Sequence, residues 1–231
     1  MFTLLRCLWC TMSILGTAYT AAIYGHGKID VGPVYIHTDV LESGQVKDKL
    51  DTYGMRADGT LQAFPCSPWL QGVFVKPTVT YAEGDGKYFS TGCGLAHYIP
   101  ITCKFKLAPS VGVNYTTVRS NTDFPAFGLY DLKQRFRAWT PYVGLEGYYT
   151  FNDQWMLSGG IQYGWAKTRT EYETLGTFKG ESKGLSYSAM VDYYFTKCWS
   201  VNLAVAYNHQ RTQERHGNKS LGGRLGLGYT Y

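Results

Sequence analysis

Charge is scarce in this chain: Asp, Glu, Lys and Arg make up only 17% of its 231 residues, against roughly 25% in ordinary soluble proteins. Helical patterning is missing as well. Beyond Lys28 no stretch repeats its apolar residues at 3.6-residue spacing, which excludes a helical bundle and an α/β fold. No Pro/Ser-rich or charge-rich linker divides the chain, so it reads as one domain. The net charge of +5 is small and the cations are scattered, which excludes the basic stripe of a nucleic-acid binder. Long apolar runs are absent too. The longest apolar segment, Cys7 to Ala22, is short and broken by Thr, Ser and Gly, so it does not read as a membrane-spanning helix. With its weakly basic lead "MFTLLR" and small residues before Ala18 and Ala22, it reads as a signal peptide over residues 1–22, followed by the mature domain over residues 23–231. Cys7 and Cys10 leave with that peptide. The mature chain keeps Cys66, Cys93, Cys103 and Cys198, an even count in an exported protein, where disulfides are chemically allowed.

What the chain has in abundance is tyrosine (20) and glycine (27), set in two-residue alternation. "WSVNLAVAYNH" puts Trp199, Val201, Leu203, Val205 and Tyr207 on one face and Ser200, Asn202, Ala204, Ala206 and Asn208 on the other. "WMLSGGIQYGW" and "GLSYSAMVDYYF" repeat the pattern, as do seven further segments from "KIDVGPVYIHT" to the final "LGGRLGLGYTY". This is the period of strands with one oily face. The reading is all-β: an antiparallel up-and-down barrel of about ten strands, with eight as the alternative count.

Two kinds of connection take turns along the chain. One kind is tight and flanked by aromatics: "FPCSPW", "YIPITCKF", "YYTFNDQW" and "YYFTKCW". The other is polar and mostly longer: Asp39 to Gly54, Arg119 to Arg135, Glu171 to Lys183 and Thr212 to Lys219, with "AEGDGK" as a short exception. Short turns below and longer loops above are the anatomy of a transmembrane barrel. A soluble barrel shares the period, but it would fill its polar face with Lys and Glu. Here that face is mostly Gly, Ser, Ala, Asn and Thr, as suits a narrow lumen, so the oily face turns outward to lipid. Trp155 and Trp165 share that face; ten residues at a tilt of about 40° separate them by about 25 Å along the membrane normal, the height of an apolar band between two aromatic girdles.

A closed barrel leaves no edge, so the last strand must pair with the first and stay oily to its end. In that strand Arg224, Gly226, Tyr229 and Tyr231 resemble the carboxy-terminal sorting signal of bacterial outer-membrane β-barrel proteins: a polar residue, Gly, an aromatic and a terminal aromatic. The resemblance in architecture covers the whole mature chain and is to the small porin-like and OmpA-like barrels. It implies an outer-membrane location, lipid and lipopolysaccharide as surroundings, and the barrel-assembly machinery as a partner. Cys66, Cys103 and Cys198 all fall in tight turns at the predicted periplasmic end. That arrangement resembles the disulfide-linked outer envelopes of chlamydiae and makes the three candidates for bridges between turns or to other envelope proteins.

Candidate chemistry is thin. Asp39, Asp85, Asp123, His37, His209, Glu214 and His216 fall near the outer rim, but nucleophile, base and orienting group cannot all be named among them. Polar rims meet water, and that alone places His and Asp there. Glycine-rich stretches such as "LGGRLGLG" open no helix and are not phosphate loops. No cofactor or metal motif is present, the cysteines having no His at ligand spacing. Asp30, Arg56, Asp58, Lys76, Glu146, Asp192 and Arg224 have inward parity. In so narrow a barrel they are expected to pair across the interior and plug it, the rival being a small channel whose selectivity they set. The sequence therefore points to a non-enzymatic barrel acting structurally or through its outer loops. A narrow porin is second and a rim hydrolase third.

Overall fold

The computed structural model describes residues 27–42, 45–64, 72–124, 129–173, 176–212 and 217–231. The segment read as a signal peptide lies outside them, as does Cys66. The chain forms β1 (Gly27–Glu42), β2 (Gln45–Gln62), β3 (Val73–Gly84), β4 (Gly86–His97), a two-residue β5 (Ile99–Pro100), β6 (Phe105–Phe124), β7 (Leu129–Thr150), β8 (Trp155–Tyr172), β9 (Gly176–Tyr194), β10 (Trp199–Arg211) and β11 (Gly217–Thr230). The ten long strands pair antiparallel in sequence order, β4 joins β6, and β11 pairs with β1 from Lys28↔Thr230 to Leu41↔Gly217, which closes the barrel. Each of the ten alternating segments read from the sequence has most of its described residues on one long strand. β5 is an added pair of residues that extends the β6 edge.

Side chains alternate as a lipid-facing barrel demands. Leu203, Leu221, Leu225 and Leu227 stand exposed on the outer wall, while their neighbours Asn202, Arg224 and Ser200 are buried inside. Two aromatic girdles bound the apolar band. The lower one pairs Trp155 with Tyr193 and Trp199 with Tyr229, rings 4.7 and 4.9 Å apart; the upper one pairs Tyr35 with Tyr53 and Tyr115 with Trp139, each at 4.9 Å. Trp and Tyr belong at such interfaces because each presents an apolar ring and a polar edge.

Three lower turns share one construction. In each, a side-chain oxygen caps the backbone N–H that starts the next strand: Thr102 Oγ1 accepts from Phe105 N at 3.0 Å, Asn152 Oδ1 from Trp155 N at 2.9 Å, and Thr196 Oγ1 from Trp199 N at 2.9 Å. Asn and Thr earn these positions because their short side chains close the turn on their own backbone.

The upper connections differ from the expectation. Asp39 to Gly54, Arg119 to Arg135 and Glu171 to Lys183 are not long loops: most of their residues are strand, and in Thr212 to Lys219 the described residues from Gly217 onward are strand as well. Asp39 pairs with Lys49, Arg119 with Arg135, and β8 and β9 stay paired as far as Tyr172↔Gly176. Above the girdle both faces meet water, so both are polar and the two-residue period disappears from the composition, although the backbone ladder continues. The barrel therefore rises well above the upper girdle as a collar of paired strands.

Candidate functional site

The interior charges meet in two networks. On β2, Arg56 and Asp58 are two residues apart and share the inner face; the Arg56 guanidinium donates to both Asp58 oxygens at 2.8–3.0 Å. Arg224, on β11, reaches across β1 to the same carboxylate and also donates to Asn202 Oδ1 at 3.0 Å. Asn202, on β10, passes the chain on, donating to Asp30 Oδ1 at 2.6 Å. Lys28 lies 3.0 Å from Asp30 and bonds Asp192 of β9. One continuous path therefore runs Arg56–Asp58–Arg224–Asn202–Asp30–Lys28–Asp192, binding five strands together. The second network joins Lys76 of β3 to Glu146 of β7, with the Tyr148 hydroxyl on the same carboxylate. Tyr148 also accepts from Tyr98 at 3.2 Å, and Phe74 packs edge-on against Tyr98 at 4.7 Å. Four cations face four carboxylates in these ion pairs, so the networks are neutral overall.

All seven charges expected inside are in these networks. Lys28, Asn202, Tyr98 and Tyr148 are additional members. Lys28 has the parity of Asp30, and that signal finds it; the aromatic members carry none, because tyrosine is common on both faces. Bulk inside the barrel requires bareness opposite: a Cβ on Gly226 would lie 2.5 Å from Asn202 Oδ1. Gly226, expected as part of a sorting signal, thus also has a packing reason to be glycine. Tyr229 packs at a tilt against Trp199, and Tyr231 exchanges backbone bonds with Gly27, Tyr231 N to Gly27 O at 3.0 Å and Gly27 N to Tyr231 O at 3.2 Å.

Of the rim histidines, His37 and His209 are described and both have outward parity. His37 follows the outward parity of Tyr35, with Nδ1 2.7 Å from Asp51 Oδ1 and Nε2 3.3 Å from Asp39. The hydrogen bond to Asp51 holds the His37 imidazolium above its ordinary range, and the bonds from Tyr35 and His37 hold the Asp51 carboxyl below its own. Asp85 accepts from Asp51 N at 2.9 Å. His209 is on the outer wall and receives a bond from Arg211 Nε at 2.5 Å; burial, then Arg211 and Lys219, push it down. Glu214, His216 and the Asp123 side chain lie outside the described residues. Among those described, no hydroxyl or thiol nucleophile is hydrogen-bonded to a histidine.

Cys93, Cys103 and Cys198 are free and exposed. Cys93 is on the lipid-facing side of β4. A bridge between Cys103 and Cys198 is not formed, and the topology gives the reason: their turns, β5–β6 and β9–β10, are separated around the barrel by the β7–β8 turn.

A closed antiparallel barrel with an apolar outer band, two aromatic girdles and a charge-paired interior is an integral outer-membrane β-barrel. The Protochlamydia outer membrane protein family matches residues 71–223, and the chain belongs to that family. Among solved structures it resembles the outer-membrane protease OmpT from Escherichia coli, with 13% identity, 90% of this chain and 97% of that chain covered, and a TM-score of 0.55. It also matches Ail, the attachment invasion locus protein of Yersinia pestis, at 13% identity over 90% of this chain and 99% of that one, TM-score 0.46. A third match is Neisserial surface protein A, at 12% identity over 89% and 97%, TM-score 0.40. No curated protein matches the chain. At such identities the OmpT likeness is one of fold, and a fold shared with a protease carries no catalytic residues with it.

Proposed function

We propose that this protein is a non-conducting outer-membrane barrel with a structural and surface-interaction role, exerted through the collar of strands above the upper girdle. The observation that carries the reading is the interior: Arg224–Asp58, Lys28–Asp192 and Lys76–Glu146 each reach over one or two intervening strands, so the ion pairs occupy space inside the barrel instead of lying between adjacent strands. Export by the leader over residues 1–22, and recognition of Arg224, Gly226, Tyr229 and Tyr231 by the assembly machinery, belong to the same reading. So does cross-linking of Cys103 and Cys198, with Cys66, to other envelope proteins, for which two free exposed thiols at the periplasmic end are suited. The runner-up, a narrow pore, rests on interior polar atoms that keep no hydrogen-bond partner: Asp192 Oδ2, Ser200 Oγ and Arg224 Nε.

Single-channel recording on the refolded mature protein in a planar bilayer, with and without reductant, separates the two. A silent, heat-modifiable barrel supports the first. Discrete ion-selective steps that change on Arg224 or Glu146 replacement establish the second.

A further inference from the structure

The outer wall carries a charge pattern opposite to that of the interior. Directly above the upper girdle, Arg137, Arg169 and Lys179 are cross-strand partners on β7, β8 and β9, one row of three cations. Arg119 and Arg135 likewise stand opposite each other on β6 and β7, and Lys87 of β4 stands opposite Arg119. All take the outward parity of Trp139. Like charges directly opposite destabilise a sheet, and here the local acids do not neutralise them. Glu171 serves Arg137 at 3.2 Å and Arg169 at 3.0 Å, while Lys167 and Lys179 make no ion pair among the described residues. Nε of both Arg135 and Arg137 is buried without a hydrogen-bond partner. Burial and the neighbouring Arg137 and Arg119 hold the Arg135 guanidinium below its usual range.

These cations border a groove of about 660 Å³ between Arg137, Lys167, Arg169, Lys179 and Glu181, with the Tyr115–Trp139 ring pair at its foot. Trp139 marks the upper edge of the apolar band. The next outward position on the strand is about 5 Å higher along the normal, which puts the row at the height of lipid headgroups. We propose that this groove binds a phosphorylated glycolipid of the outer leaflet. The Arg137–Arg169–Lys179 row holds the phosphate, for which guanidinium forks are matched in shape and charge. Tyr115 and Trp139 cover the adjoining sugar or upper acyl chain. The site lies on the lipid side of the wall and is independent of whether the lumen conducts.

The test uses the refolded barrel in neutral-detergent micelles, titrated with diphosphoryl lipid A, fully dephosphorylated lipid A or inorganic phosphate, and read by Trp fluorescence and by the midpoint of thermal unfolding. Three variants are compared with wild type: R137Q/R169Q/K179Q, the conservative K179R, and K104Q/K106Q/K197Q, which removes the same charge from exposed positions at the opposite end. The expected result is that diphosphoryl lipid A alone raises the wild-type midpoint. The row variant, folded by heat-modifiability, binds it at least about tenfold more weakly, since each lost charge-assisted bond is worth about that factor. K179R and the opposite-end variant retain the shift. Equal stabilisation by the dephosphorylated lipid, an equal effect of free phosphate, retention of the shift by the row variant, or its loss in the opposite-end variant each overturns the proposal.

Discussion

Replacing Glu146 by Gln tests whether the interior is a plug or a flooded pore. The Lys76 side chain is 21% exposed and that of Glu146 15%, so E146Q leaves the ammonium in the interior with the Tyr148 hydroxyl, 3.2 Å away, as its remaining hydrogen-bond partner. Removing one partner of a buried pair costs about 3–5 kcal/mol, because the surviving charge is uncompensated. The Gln amide oxygen still accepts from Tyr148, which places E146Q near the lower end, about 3 kcal/mol. K76M strands the carboxylate in the same way at a similar cost. The double variant K76M/E146Q removes both charges and is expected to lose about 1 kcal/mol or less, so the cycle closes with a coupling of about 5 kcal/mol. Equilibrium urea unfolding of the barrel in lipid vesicles, followed by Trp fluorescence, measures all four corners. Single losses below about 1 kcal/mol that simply add are what a water-solvated ion pair gives. That outcome would refute the plug.

Three other expectations come from the turns, the seam and the collar. Asn152→Ala removes the cap on Gln154 N and Trp155 N, each at 2.9 Å, and is expected to cost about 1 kcal/mol; N152T, the residue type at the two sister turns, restores most of it, and equal stability of all three proteins contradicts the capping role. Tyr229→Ala strips the ring packed against Trp199 and is expected to lower the heat-modifiable fraction recovered from outer membranes, whereas unchanged recovery would show that this girdle position is not read during assembly. For His37, the raised imidazolium contributes stability that is full below its unfolded value and lost as pH rises through its folded one. The depressed Asp51 carboxyl contributes above its unfolded value, and that contribution is lost as pH falls through its folded one. An NMR titration should therefore find the His37 midpoint falling in D51N, and an identical midpoint would mean the pair does not form in solution.

The strands were legible because lipid on one side and a small-residue lumen on the other force opposite chemistry on successive residues, as at Leu203 and Asn202. The collar was not, since Thr117, Arg119 and Asn121 outside are no more apolar than Thr116 and Ser120 inside, and polarity on both faces erases the period. Parity also told which charges enter the lumen without telling which meet. Asp58 binds Arg56, two residues away on its own strand, and Arg224, 166 residues away; only closure of β11 onto β1 creates the second contact. Prolines did not interrupt the alternation that marks the strands. Pro33, Pro77 and Pro109 lie inside paired strands, where an open sheet would tolerate them mainly at an edge, and a closed barrel has none to offer.

The contrast between the two faces decides where to look for function. Inside, each carboxylate of the ion-paired set has a cation and the charges sum to nothing, which is what stability alone would select. Outside, above the girdle, cations are set against cations across four strand pairs: Lys87 with Arg119, Arg119 with Arg135, Arg137 with Arg169, and Arg169 with Lys179. Each such pair costs roughly 0.2–1 kcal/mol relative to neutral neighbours. Exposed positions are free to vary, so a fold left to itself would alternate the signs there, as it does at Glu83 and Lys87, 3.1 Å apart. A repeated cost on a wall that folding does not need to charge is repaid only by an anion. The one phase such a wall always meets at that height is the headgroup layer of the leaflet.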